Sequence, residues 1–208
     1  MKVRRETLSV LIASEALLAA MGAMAAGGGM RYPGTAAAMG ALVMALPYVL
    51  ERAGWVRLPV FVQAWASMAI GLHTFGLVWG LYDGTWWWDE LTHLVSSALV
   101  GMMAAMALHL FDLHSLKIKV PRWAYPLLIV TFSIFIGVVW EVAEFTGDVL
   151  AGTRMQYSLL DTLSDCYVDM LGGVAASLLW VAWFWRDPTG EIGEAAQGKL
   201  ISRLQSLF

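Results

Sequence analysis

Three short stretches of the chain concentrate side chains that can bind cations or move protons. In Trp86-Trp87-Trp88-Asp89-Glu90-Leu91-Thr92-His93, Asp89 and His93 stand at i and i+4. They share one helical face, and Ser97 continues it one turn deeper. In Trp140–Asp148 the acids Glu141, Glu144 and Asp148 fall at i, i+3 and i+7, again one stripe. In Ser158–Gly173 the acids Asp161, Asp165 and Asp169 fall at i, i+4 and i+8. Gly172-Gly173 follows one turn later, small enough for a neighbouring helix to come close. Several carboxylates and one imidazole suit a divalent cation: Mg²⁺, Mn²⁺, Ca²⁺, Zn²⁺ or Fe²⁺.

The elements that carry these stripes are read from composition and hydropathy. The chain has 208 residues, of which 59% are hydrophobic and only 14% charged, with 11 Trp and 12 Met. Its mean hydropathy is +0.66. Soluble domains carry about 25% charged residues, so this composition excludes a disordered chain, a coiled coil and an ordinary water-soluble enzyme. A net charge of −3 gives no support for nucleic-acid binding. The single Cys166 excludes an intrachain disulfide and a cysteine-based metal centre. The expected fold class is all-α, a polytopic membrane helix bundle forming one integral-membrane domain over 1–208. Six spans, each near the ~20 residues that cross a bilayer, are expected at 8–26, 35–50, 58–82, 86–111, 123–150 and 158–185. Gly27-Gly28-Gly29 and Pro33-Gly34 mark a turn after the first span, and Pro47 predicts a kink or tilt in the second. Trp86–Trp88, Trp123, Trp183 and Trp185 read as an interfacial aromatic belt. Residues 191–208 read as an amphipathic cytoplasmic tail lying on the membrane, where lipids are the expected partners.

Charge sets the expected orientation. With the N-terminus inside, eleven of the 13 Lys and Arg residues are cytoplasmic and only Arg31 and Arg154 lie outside. The positive-inside rule therefore predicts a multi-pass protein of the cell membrane with both termini cytoplasmic. A cleaved signal peptide is the competing reading of the N-terminus. The long apolar run and Glu15 within it favour an uncleaved first span.

This topology brings the three stripes to the outer half of the membrane. At 1.5 Å per residue, Asp165 lies roughly 10 Å from the start of its helix and Glu141 roughly 13 Å from the end of its own. Matched depth predicts one site, with Asp89, His93, Glu141, Glu144, Asp161, Asp165 and Asp169 as candidate metal ligands. Seven carboxylates, Asp148 included, cannot all remain ionised in a low-dielectric bundle without cations or protons. Ligands suffice for two ions, although the Glu-x-x-His pairs of di-iron bundles are missing. An ion at headgroup level suits metal-assisted hydrolysis or transfer on a lipid-linked or anionic small-molecule substrate. Asp148 is then the candidate base, and Arg154 the candidate anion-binding group unless it pairs with Asp148. Two other readings stand beside this one: a cation or proton transporter, and a structural scaffold whose protonated acids form a polar lock with Ser, Thr, Tyr157 and Tyr167. The transporter would need its stripe to continue inwards, and Met170–Trp185 and Ala124–Trp140 are apolar.

Among the remaining residues, His73 reads first as a packing histidine and second as a member of the cluster. His109 and His114 read as interface residues at the inner end. Glu15 should find a polar partner or be protonated, and Cys166 should pack as a small apolar residue.

Asp89-Glu-Leu-Thr-His93, Trp140-Glu-Val-Ala-Glu144 and Asp161-Thr-Leu-Ser-Asp165 resemble the YjdF-like integral-membrane proteins of bacteria and archaea. Their order and spacing are also similar to the VanZ-like family, associated with teicoplanin resistance. In that comparison Asp165, Asp169 and Gly172 occupy the family's Asp-x-x-x-Asn-x-x-Gly run, with Asp169 in place of the Asn. The resemblance covers roughly residues 80–180 and implies a polytopic membrane protein with a polar site. It implies no particular reaction.

Overall fold

The computed structural model describes residues 3–114, 119–184 and 199. Most of these residues are helical, in α1 (Arg5–Gly27), α2 (Arg31–Arg52), α3 (Val60–Trp79), the single turn α4 (Leu81–Gly84), α5 (Trp88–His114), α6 (Ala124–Ala151) and α7 (Leu159–Leu179). A π-helical turn, Trp180–Phe184, extends α7. Six of these helices are long and apolar enough to cross a membrane. Closed helices are the natural choice in lipid, because each backbone N–H and C=O is satisfied within the segment. Apart from Lys199, the tail 191–208 lies outside the described residues, as do Trp185, Lys2, Lys117 and the side chains of His114 and Trp183.

Helix ends follow local chemistry. Gly80 and Gly152 adopt left-handed conformations (both φ +66°) and stop α3 and α6, each donating its N–H to the carbonyl four residues back. Gly80 therefore divides the span expected to run to Tyr82. Ser158 caps α7, its hydroxyl accepting the Asp161 N–H at 3.1 Å. The second span is longer than expected, because Pro33 is tolerated in the first turn of α2, where N–H groups lack helical partners anyway. The turn before it is confined to Gly28–Met30.

The helices form two compact units. In the first, α1, α2 and α3 pack on one another around Leu18, Met21 and Met44. Midway along α1 the Ser14 hydroxyl lies 2.5 Å from that of Ser67 on α3, while half-buried Glu15 has no hydrogen bond or ion pair among the described residues. Trp88 departs from the expected belt. It is buried in the notch over Gly76, against Phe75, while Trp86 and Trp87 remain exposed. His73 bonds the Tyr82 hydroxyl at 2.8 Å, the packing role.

One end of this unit holds a buried acid. Glu51 is 0% exposed and accepts from Thr7 Oγ1 at 2.9 Å and from the Arg4 backbone N–H at 3.1 Å. The Nε atoms of Arg4 and Arg57 each lie 3.4 Å from its Oε1. Gln63 donates to Thr7 and to the Leu58 carbonyl, which also accepts from Arg4. The start of α1, the end of α2 and the approach to α3 are thus tied to one carboxylate.

In the second unit α5, α6 and α7 meet through small residues. Ser133 of α6 donates to the Ser97 carbonyl of α5 at 3.2 Å. A Cβ at Gly101 would lie 2.8 Å from Ala176, and one at Gly173 only 2.9 Å from Ser133. A Cβ at Gly172 would strike Ser97 and lie 3.0 Å from the Leu94 carbonyl. The glycine pair therefore does permit the close approach expected of it. Below this seam Trp180 stacks on Tyr125 and meets His109 edge-on.

Glu51→Ala should remove about 3–5 kcal/mol of stability, because two guanidinium groups lose their buried partner. Thr7→Val should cost only about 1 kcal/mol, the worth of one hydrogen bond. Denaturant unfolding in detergent checks both, and equal stability of Glu51→Ala and wild type would refute the network's role.

Candidate functional site

The second unit gathers its acids around one imidazole. His93, in the second turn of α5, is 7% exposed. Its ring is addressed from both nitrogens. Nδ1 lies 3.3 Å from Asp169 Oδ1 on α7. Nε2 lies 3.7 Å from Asp89 Oδ1 on its own helix and 3.9 Å from Glu141 Oε1 on α6. Asp89, His93 and Asp165 each offer one ligand atom, all within 4.8 Å of one another. The stripe spacing explains why these residues meet: α5 and α7 begin, and α6 ends, at the same end of the unit.

The packing that closes the site is tight. Ser97 turns its hydroxyl back to the His93 carbonyl at 2.6 Å, fixing the turn below the imidazole. A Cβ at Gly137 would collide with the Asp169 carboxylate, whose Cγ it would approach to 2.6 Å. Gly137 is thus the notch on α6 that receives Asp169 on its way to His93.

Three oxygens define what is missing. Glu141 Oε1, Asp165 Oδ1 and Asp169 Oδ2 are buried without a hydrogen-bond partner among the described residues. Glu141, Asp165 and Asp169 are 4%, 2% and 3% exposed. Nor does any described Lys or Arg pair with them; their one basic neighbour is His93. Buried carboxylate oxygens without donors are costly unless a proton or a cation satisfies them. The group can therefore hold a metal ion, and its oxygen-rich donors with one imidazole fit a divalent cation.

The other expected residues are placed differently. Glu144 accepts from the Trp140 indole of its own helix at 2.9 Å. Asp161 folds back on the start of α7, accepting from the Tyr157 N–H at 3.2 Å. Asp169 faces the imidazole nitrogen opposite Asp89 and Glu141. Asp148, expected as a base, is engaged by the loop that follows α6. It accepts from Thr153 Oγ1 at 2.6 Å, Met155 N at 2.8 Å and Gln156 N at 3.0 Å. These bonds replace the Arg154–Asp148 ion pair considered from the sequence, and Arg154 is exposed. Sequence reasoning passed over Gln156, whose amide donates to the Glu141 carbonyl at 3.1 Å and to its Oε2 at 3.3 Å. Its only signal was a polar residue in the short connection between two acidic stripes.

Fold and site together describe a multi-pass, all-α membrane protein with a buried Asp/His/Asp group. The chain belongs to the family described as predicted membrane protein (DUF2238), which it matches over residues 8–186. That match takes in the first two spans as well as the acidic helices. It is also similar to an uncharacterized protein of Thermotoga maritima, with 29% identity over 132 residues. The similarity covers 61% of this chain and 65% of the relative, slightly under two thirds of the relative's length. No solved structure matches the chain.

Gly137→Ala should displace Asp169 from His93 and cost about 1–3 kcal/mol, as overpacking does. Gly27→Ala, with nothing within 4 Å of the new methyl, is the control and should be neutral or mildly stabilising. Thermal unfolding in detergent separates the two. Equal melting temperatures would show that α6 and α7 are not packed this closely.

Proposed function

We propose that the protein binds a divalent metal ion through Asp89, His93, Glu141 and Asp165. The observation that carries this reading is the pair of buried oxygens, Glu141 Oε1 and Asp165 Oδ1, without a donor among the described residues beside Asp89 and His93. Asp169 then serves the ring from behind. A carboxylate on Nδ1 fixes the tautomer that leaves Nε2 free to ligate, the arrangement common behind metal-bound histidines. Glu144 and Asp161 flank this set without joining it when one ion is bound, and are the candidate ligands should a second ion bind.

The finer reading is metal-assisted hydrolysis or transfer on a lipid-linked, anionic substrate in the outer leaflet, with both termini in the cytoplasm. A carboxylate-held ion supplies polarisation of a phosphoryl or ester oxygen and a water acidified towards neutral pH. The chain's own contribution is positional. Helices α5, α6 and α7 hold the donors close together near one end of their spans, and exposed Arg154 provides a guanidinium for the anionic group. Three hydrogen bonds to the 153–156 loop commit Asp148 to holding that loop, so the acid–base role passes to half-buried Glu144. Kinship with YjdF-like proteins is compatible with the family match and adds no reaction to it.

Elemental mass spectrometry of detergent-purified protein should find one or two equivalents of a divalent ion, lost in the double variant Glu141→Gln with Asp165→Asn. Incubation with Mg²⁺ and Ca²⁺ before a rapid desalting step covers weakly held ions. No retained ion under either condition would overturn the proposal and leave protonated carboxylates in a polar lock.

A further inference from the structure

The two oxygens of Glu141 are not equivalent. Oε2 is taken by the Gln156 amide at 3.3 Å. Oε1 has no hydrogen-bond partner among the described residues and lies 3.9 Å from His93 Nε2. The same amide donates at 3.1 Å to the Glu141 backbone carbonyl, so it grips the residue at both ends. Gln156 is itself held. Its backbone N–H, that of Met155 and the Thr153 hydroxyl all donate to Asp148. The loop also lies directly on α6, since a Cβ at Gly147 would come 2.6 Å from the Met155 methyl. Asp148 and Glu141 lie seven residues apart on one stripe of α6, and the loop spans the two turns between them.

We infer that Gln156 is a positioning residue of the metal site, presenting Glu141 as a one-oxygen ligand, with Asp148 anchoring the loop that carries it. The inference rests on the metal reading above and deepens it to a choice of ion. Ca²⁺ takes six to eight oxygens and readily uses bidentate carboxylates. A Glu141 limited to one oxygen, beside an imidazole, disfavours Ca²⁺ and favours a smaller ion with nitrogen affinity, such as Mn²⁺. Releasing Oε2 should therefore relax the discrimination.

The test is calorimetric titration of full-length protein in detergent with Mn²⁺ and, separately, Ca²⁺. Gln156→Ala should weaken Mn²⁺ binding 10–100-fold, the usual effect of removing a residue that orients a ligand. Ca²⁺ binding should fall less, so that the Mn²⁺/Ca²⁺ affinity ratio shrinks. Gln156→Glu keeps the size, removes the donor and should shrink the ratio likewise; it serves if the alanine variant does not fold. Unfolding of the metal-free proteins shows whether either change is merely structural, since a general loss of stability would lower both affinities without changing their ratio. Wild-type binding with an unaltered ratio in the variants would overturn the role of Gln156 alone. Failure of the wild type to bind either ion would overturn the metal reading, and this inference with it.

Discussion

The second unit depends on the contacts of one imidazole. His93 reaches carboxylates on three helices: Asp89 on its own, Glu141 on α6 and Asp169 on α7. A single positive charge there, if the ring is protonated, cannot neutralise three acids and Asp165 besides. The cluster therefore requires further positive charge, as protons or as a metal ion. The tight packing around it is a consequence of bringing the carboxylates to the ring. Asp169 reaches Nδ1 only because Gly137 leaves a notch, and α7 reaches α5 only because Gly172 lets it lie against the Leu94 and Ser97 turn. Small residues on the helix faces and large polar residues above them are two parts of one solution.

Much of this was legible in the sequence, because period and hydropathy are local. The i+4 spacing of Asp89 and His93, and the i, i+4, i+8 spacing of Asp161, Asp165 and Asp169, set faces that survive in the structure. Six apolar segments of spanning length survive too. Their ends were less legible, since they turn on single residues. Gly80 stops α3 before Tyr82, whereas Pro33 enters α2 rather than preceding it.

What the sequence could not supply was which members of a stripe look inward and to whom. Asp161 and Asp165 are one turn apart on one face, yet Asp161 bonds back to the Tyr157 N–H while Asp165 is buried among acids. Being three residues into a helix competes with being on its face, and a free backbone donor wins the shallower acid. Asp148 was drawn away in the same manner by the N–H groups of the 153–156 loop. Glu51 was missed for another reason. Its partners Arg4, Thr7 and Arg57, and Gln63 behind Thr7, are scattered along the chain, and no periodicity links them.

The two units thus meet the same physical problem, an acid in an apolar bundle, in opposite ways. Glu51 is buried with two guanidinium groups, a hydroxyl and a backbone N–H, all covalently part of the chain. Its neutralisation is permanent and needs nothing from outside. Around His93 the carboxylates outnumber the basic groups that the described residues bring, and three of their oxygens have no hydrogen-bond partner among those residues. A sequence that can place two arginines on one glutamate can solve the electrostatics of a buried acid internally. Where it leaves several acids converging on one imidazole, the missing positive charge must come from solution, and whether it arrives as a metal ion or as protons is what separates a binding site from a structural lock. That contrast within one chain is the ground for the metal-binding proposal, because the bundle's stability alone would be served better by the arrangement at Glu51.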